Sequence, residues 1–104
     1  MDVKVETLAG MVSFQEGSVV SRKVLGGKGG NTTLFAFARG EGLTEHTSPY
    51  DAMVVILEGT ASIRVGERDF RVSAGETITL PAGVPHALDA EEPFKMMLVM
   101  IKEG

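Results

Sequence analysis

Glycine and proline cut this chain into short runs of β-forming residues, and no amphipathic helical period survives between the cuts. Ser18 to Leu25 (SVVSRKVL) and Thr32 to Arg39 (TTLFAFAR) read as strands joined by a hairpin loop, Gly26 to Asn31. Gly40 and Gly42 then break the chain. Ala52 to Leu57 is apolar without interruption, as expected for a strand buried on both faces. Ala61 to Val65 alternates like a half-exposed strand, and Gly66 turns it into Asp69 to Val72. Ser73 and Glu76 match a helix capping box, but the alternating β-branched run Thr77 to Leu80, stopped by Pro81, argues for a strand. Pro81 to Pro85 is a turn, Ala87-Leu88 continues as strand, and Phe94 to Ile101 closes the pattern as a long buried strand. Residues 1–17 fit an edge strand, or an extension with a brief helical turn. Strands this short and this evenly punctuated make an all-β sandwich or closed barrel, and the pattern alone does not choose between them.

The 104 residues suffice for one domain, spanning 1–104, around one hydrophobic core. A net charge of −4 argues against a nucleic-acid partner, which would need a basic face. The absence of cysteine excludes disulfides, thiolate metal sites and thiol nucleophiles. The first ten residues lack the apolar run of a secretion signal, and no segment approaches the roughly 20 apolar residues of a membrane helix. A cytoplasmic location without membrane contact is the expectation. The stretch Gly26 to Asn31 misses the Walker spacing, so it is a hairpin loop rather than a phosphate cradle. Met96, Met97 and Met100 read as core packing before ligand lining.

Two stretches carry a more specific signal. In residues 40–59, Gly40 is followed by five residues, then His46, Thr47 and Ser48, with Ala52 four positions on and Gly59 at the end. In residues 75–90, Gly75, Pro81, Gly83 and His86 recur at fixed spacing, with Ala90 four positions beyond His86. These resemble the two signature motifs of the cupin family, and fifteen residues separate them, as in small microbial members. The resemblance implies an all-β cupin double-stranded β-helix, a jelly-roll barrel of about nine to eleven strands. It also implies a homodimer, for which the amino-terminal region and the apolar Phe94 to Ile101 strand suit sheet-to-sheet contact.

In the family, the positions of His46, Ser48, Ala52 and His86 face the barrel interior and hold a divalent metal. Simple alternation agrees, since 46, 48 and 52 differ by even numbers. This chain departs from the family pattern at two of the four ligands. Ser48 stands for the second histidine and Ala52 for the glutamate. A serine hydroxyl is a poor transition-metal ligand and alanine is none. His46 and His86 alone imply a weak or empty site for zinc, nickel, manganese or iron, short of the three protein ligands usual for catalytic zinc. A bulge at Pro49 would turn Asp51 inward as a third ligand. Tyr50, the one tyrosine, is read as rim packing before pocket donor.

The expected pocket is mainly apolar. It draws on Phe35, Phe37, Met53, Ile56, Leu88, Met96 and Leu98 around His46, Ser48, Ala52 and His86. The favoured reading is a module binding a small-molecule ligand, with a degenerate metal site. The alternative is a metal-dependent oxygenase, isomerase or lyase, and a third is a dimer whose barrel is simply filled by side chains.

Overall fold

The computed structural model describes residues 2–102, and the strands end where glycine or proline ends the β-forming runs. Nine strands result among the described residues: β1 Val19–Gly27, β2 Gly30–Phe37, β3 Gly42–His46, β4 Asp51–Glu58, β5 Thr60–Val65, β6 Arg68–Ser73, β7 Thr77–Leu80, β8 His86–Asp89 and β9 Phe94–Ile101. They form a five-stranded sheet, β1-β2-β9-β4-β7, facing a four-stranded sheet, β3-β8-β5-β6. Every pairing is antiparallel. Consecutive strands alternate between the sheets from β2 to β5 and again from β6 to β9, which gives the jelly-roll its crossovers. No helix of the described residues is long and apolar enough to cross a membrane.

The core lies between the sheets. Phe37 stacks on Phe94 with ring centroids 4.5 Å apart, and Phe35 tilts against Phe37 at 6.0 Å. Val54, Ile56 and Met96 from the first sheet meet Ile63, Val72 and Leu88 from the second. Gly59 makes the β4–β5 turn with φ +78°, where a Cβ would meet the Pro93 carbonyl at 2.4 Å. Both the left-handed backbone and the close approach require glycine there.

Two expectations about burial are corrected. The apolar run of β4 is not buried on both faces: Ala52, Val54 and Ile56 point into the core, whereas Met53 is 39% exposed and Val55 and Leu57 are half-buried. Strand β9 behaves alike, buried at Phe94 and Met96 and open at Ile101. The reason is that the outward face of the first sheet has only partial cover. That cover comes from the residues ahead of β1, which hold no strand among those described, so of the two readings the extension with a brief helical turn is the one found. Leu8–Met11 is a 3-10 turn, and Val12 packs on Leu34 and Ala36 from outside the sheet. Arg22 Nη1 donates to the Met11 carbonyl at 3.1 Å, and Lys95 Nζ donates to the Ala9 carbonyl at 2.7 Å.

The capping box illustrates how tertiary pairing overrides a local signal. The Ser73 N–H donates to Glu76 Oε1 at 2.8 Å, half of the box, yet Thr77–Leu80 is strand β7 because it pairs with Ala52–Val55.

Candidate functional site at the histidine end of the barrel

His46 ends β3 and His86 begins β8, and the two are direct partners across that ladder. A register shift between Leu43 and His46 lets the pair meet. Their ring centroids are 4.3 Å apart with planes at 69°, an edge-on contact. His86 is 7% exposed and shares its inward face with the buried Leu88, while His46 is open to solvent.

The loop before β8 is held by the first motif. The Gly83 N–H donates to the Ser48 carbonyl, and the Ala82 N–H to Asp51 Oδ1, both at 2.8 Å. Gly83 sits at φ +77°, a conformation a β-carbon would strain, and this turn delivers His86 to the barrel wall. At the far ends of the motifs, the Gly40 N–H donates to the Ala90 carbonyl at 2.7 Å, and the Ala90 N–H to the Glu41 carbonyl at 2.8 Å. The two motifs are therefore one hydrogen-bonded unit.

Both imidazoles turn Nδ1 to a main-chain carbonyl. His46 Nδ1 lies 2.7 Å from Thr44 O, and His86 Nδ1 lies 3.3 Å from Val84 O. A carbonyl oxygen can only accept, so in each ring Nδ1 carries a hydrogen, and in the neutral form of the ring Nε2 keeps the lone pair. Burial pushes the His86 pKa down, the neighbouring His46 adds to that, and the Val84 carbonyl partly opposes it. His86 thus stays neutral to lower pH than an ordinary histidine.

The remaining expected residues separate into groups. Ser48 is half-buried, and its Oγ accepts the Tyr50 N–H at 3.2 Å within the turn. Thr47 to Tyr50 separates two strands that belong to different sheets, so the alternation argument linking 46 and 48 to 52 does not apply. Ala52 nonetheless faces inward, paired with Leu80 immediately before the loop that holds His86. Phe37, Ile56, Leu88 and Met96 are fully buried core, and Phe35 and Leu98 are half-buried against it. Met53 is on the opposite face from the expected pocket, because its neighbours Ala52 and Val54 take the inward positions. Asp51 is exposed and engaged by Ala82. Tyr50 lies beneath Lys102, whose Nζ is 5.6 Å from the ring centroid. No group of three histidine, aspartate or glutamate side chains suited to a metal occurs among the described residues.

A concavity on another face escaped the sequence reading. A groove of about 950 Å³ runs over the outward face of the second sheet, past Glu45, Ser62, Arg64, Asp69, Arg71 and Asp89, and includes neither histidine. Arg64 pairs with Asp69 at 3.0 Å and Arg71 with Glu91 at 3.4 Å across its floor. The sequence signal was there: polar residues at every second position of β5 and β6 mark a solvated face.

Comparison with known proteins agrees with this geometry. The chain is similar over its whole length to SPY1581, a conserved protein of unknown function from Streptococcus pyogenes, at 38% identity, covering 91% of that chain with a TM-score of 0.94. It is 41% identical to a cupin 2 conserved barrel domain protein from Leptotrichia buccalis, over 91% of this chain, with a TM-score of 0.88. It spans only 46% of that longer chain. A cupin superfamily protein from Desulfitobacterium hafniense shares the fold at 24% identity and a TM-score of 0.92, over 99% of this chain and 94% of that one. No curated protein matches the sequence. The cupin domain model matches residues 33–102, which include both motifs, both histidines, the end of β2 and all of β3 to β9, and the chain belongs to the cupin family.

Proposed function

We propose that the protein is a cupin barrel that binds a small molecule at its histidine end, without a strong metal site. The observation that carries this reading is the His46–His86 pair itself. Two imidazoles are in edge contact at one end of an apolar core. Each turns Nδ1 to a main-chain carbonyl, which leaves Nε2 of the neutral ring free to accept a hydrogen bond. A ligand with an apolar body and a hydroxyl or N–H donor would bury the one against Phe35 and Leu98 and offer the other to the imidazoles. Chemical-shift mapping of the two histidine side chains during a fragment screen tests this. Fragments should perturb the His86 ring, and a screen in which every bound fragment leaves both rings unmoved would exclude the site.

A metal-dependent enzyme is the second reading, and the same geometry favours it in part. Metal-bound histidines characteristically donate their other nitrogen to a carbonyl or carboxylate, as both rings do here. Two imidazoles sharing a zinc ion place their nitrogens no more than about 4.2 Å apart, twice a bond of about 2.0–2.1 Å, and rings this close can meet that limit. The donor set is the weakness. With Ser48 engaged in a turn and Ala52 without a donor, His46 and His86 supply two ligands, so zinc, nickel, manganese or iron would be weakly held with water completing the shell. Elemental analysis of protein purified without chelator separates the readings, since stoichiometric metal would favour the enzyme.

A further inference from the structure

The inward face of the first sheet changes character along its length. Strands β2 and β9 pair without a bulge, so Phe37, Phe35, Thr33 and Asn31 lie beside Phe94, Met96, Leu98 and Met100 on that face. Phe37, Phe94 and Met96 are buried. Phe35 and Leu98 are half-buried, and so are Thr33, Asn31 and Met100 beyond them. The wall opens as it passes from aromatic to polar.

The open end is the histidine end. The turn that leaves His46 leads to Asp51, which pairs with Ile101, and Ile101 pairs with Gly30 at the start of β2. On the other side of the barrel β6 packs on β4 and β7, which leaves β3 and β8 to cover β2 and β9. Asn31 and Thr33 therefore belong to the wall that faces the imidazoles, across the roughly 10 Å between packed sheets.

That wall is cationic. Val19 packs on the main core, and alternation brings Ser21 and Lys23 inward after it, with Lys23 paired to Thr33. A bulge after Lys23 then sets Gly26 opposite Asn31, and the Lys23 side chain lies over Gly26, in the space that a side chain there would fill. Its ammonium thus stands at the level of Asn31. Thr33 Oγ1 donates to Asn31 Oδ1 at 3.5 Å, so the Asn31 amide nitrogen remains a donor. Lys102 follows Met100 with the same parity, its Nζ 5.6 Å from the Tyr50 ring centroid. Strands β1, β2 and β9 contain no acidic residue. The two on β4 face outward, where Asp51 accepts the Ala82 N–H and Glu58 lies 3.9 Å from Lys95 Nζ.

We propose that the small molecule taken at the histidine end is a carboxylic acid whose carboxylate sits against Lys23, Asn31 and Thr33 on the inner wall of β1 and β2. Its apolar body lies on Phe35 and Leu98, and its hydroxyl or N–H reaches the imidazoles. One ammonium, with an amide N–H and a hydroxyl beside it, balances a singly charged group on a wall that carries no anion of its own. The inference rests on the reading of the histidine end given above and adds the class of ligand.

A matched pair of probes tests it. Para-hydroxyphenylpropionate carries a carboxylate, a ring and a hydroxyl, and para-hydroxyphenylpropionamide differs from it in charge alone. Each is titrated into the protein while the histidine rings are followed by NMR. The acid should bind wild type about tenfold more tightly than the amide, the scale of hydrogen bonds to a charged group. Lys23 is exposed, so Lys23→Met keeps the core and should remove about fivefold or more of that preference. Arg71→Met, which removes a cation from the outward face of the second sheet, should remove none. Acid and amide binding equally while both move the His86 ring would overturn the carboxylate seat and leave the histidine reading standing. A preference that survives Lys23→Met undiminished would overturn the seat as well. An acid that depends on Lys23 but moves neither ring would support the seat and overturn the histidine reading. Failure of both probes to bind at millimolar concentration would sink the two together.

Discussion

His46 and His86 face each other across the β3–β8 ladder with ring centroids 4.3 Å apart, one open to solvent and the other 7% exposed. The asymmetry puts two like groups in different environments. His86 is held neutral by burial and by its neighbour, while His46 meets solvent first.

The pH dependence of His86 follows directly. Its folded pKa is depressed below the ordinary value of about 6.5, so the unfolded chain takes up a proton first as pH falls. The stability tied to His86 is complete above about pH 6.5 and is lost as pH drops through its folded midpoint. Melting temperature measured from pH 7.5 to 4.5 should fall less steeply in His86→Gln than in wild type. Side-chain NMR should place the His86 midpoint below about 6.5, and His46→Ala should move it upward by removing the second cause of the shift.

Restoring the family ligands should reveal the cost of the site. Ala52 belongs to the buried core cluster, so Ala52→Glu places a carboxyl where it lacks partners, at about 1–3 kcal/mol. With Ser48→His added, nickel or manganese should bind more tightly than to wild type and return that stability. His46→Ala or His86→Ala should abolish what binding wild type has. Calorimetric titration with paired thermal melts checks this, and equal affinity in wild type and the double variant would mean the site is elsewhere.

The alternation along β4 predicts unequal costs for similar truncations. Ile56→Ala removes a fully buried side chain and should cost about 2–5 kcal/mol. Met53→Ala, on the partly open face, should cost under about 1 kcal/mol in the monomer. Urea denaturation of the two variants decides it.

Two glycines with nearly the same φ should differ in tolerance. Gly83→Ala meets no atom within 4 Å and should cost only the left-handed strain, about 1–2 kcal/mol. Gly59→Ala adds a contact with the Pro93 carbonyl at 2.4 Å, a backbone atom that cannot step aside, and should destabilise by clearly more. Equal denaturation midpoints would show that the β4–β5 turn can relax.

Eight of the nine strands and the turns between them were legible in the chain, because glycine and proline act on their own backbone and alternation is a local property. Strand β3 read only as a break at Gly40 and Gly42, and the relation between the two motifs came from the family resemblance. His46 and His86 could be singled out for the same reason, each at a fixed distance from a turn-forming glycine. Which face each residue takes was not. Ala52 to Leu57 reads as uniformly apolar, and only its pairing with β7 and β9 sets Met53 against Val54. The step from Ser48 to Ala52 crosses from one sheet to the other, so counting residues through Thr47 to Tyr50 carries no information about direction. The cover formed by Leu8 to Val12 and the charged groove over β5 and β6 depend on contacts between residues far apart in sequence. Such contacts exist only once the chain has closed, and they decided which apolar residues became core and which stayed open at the surface.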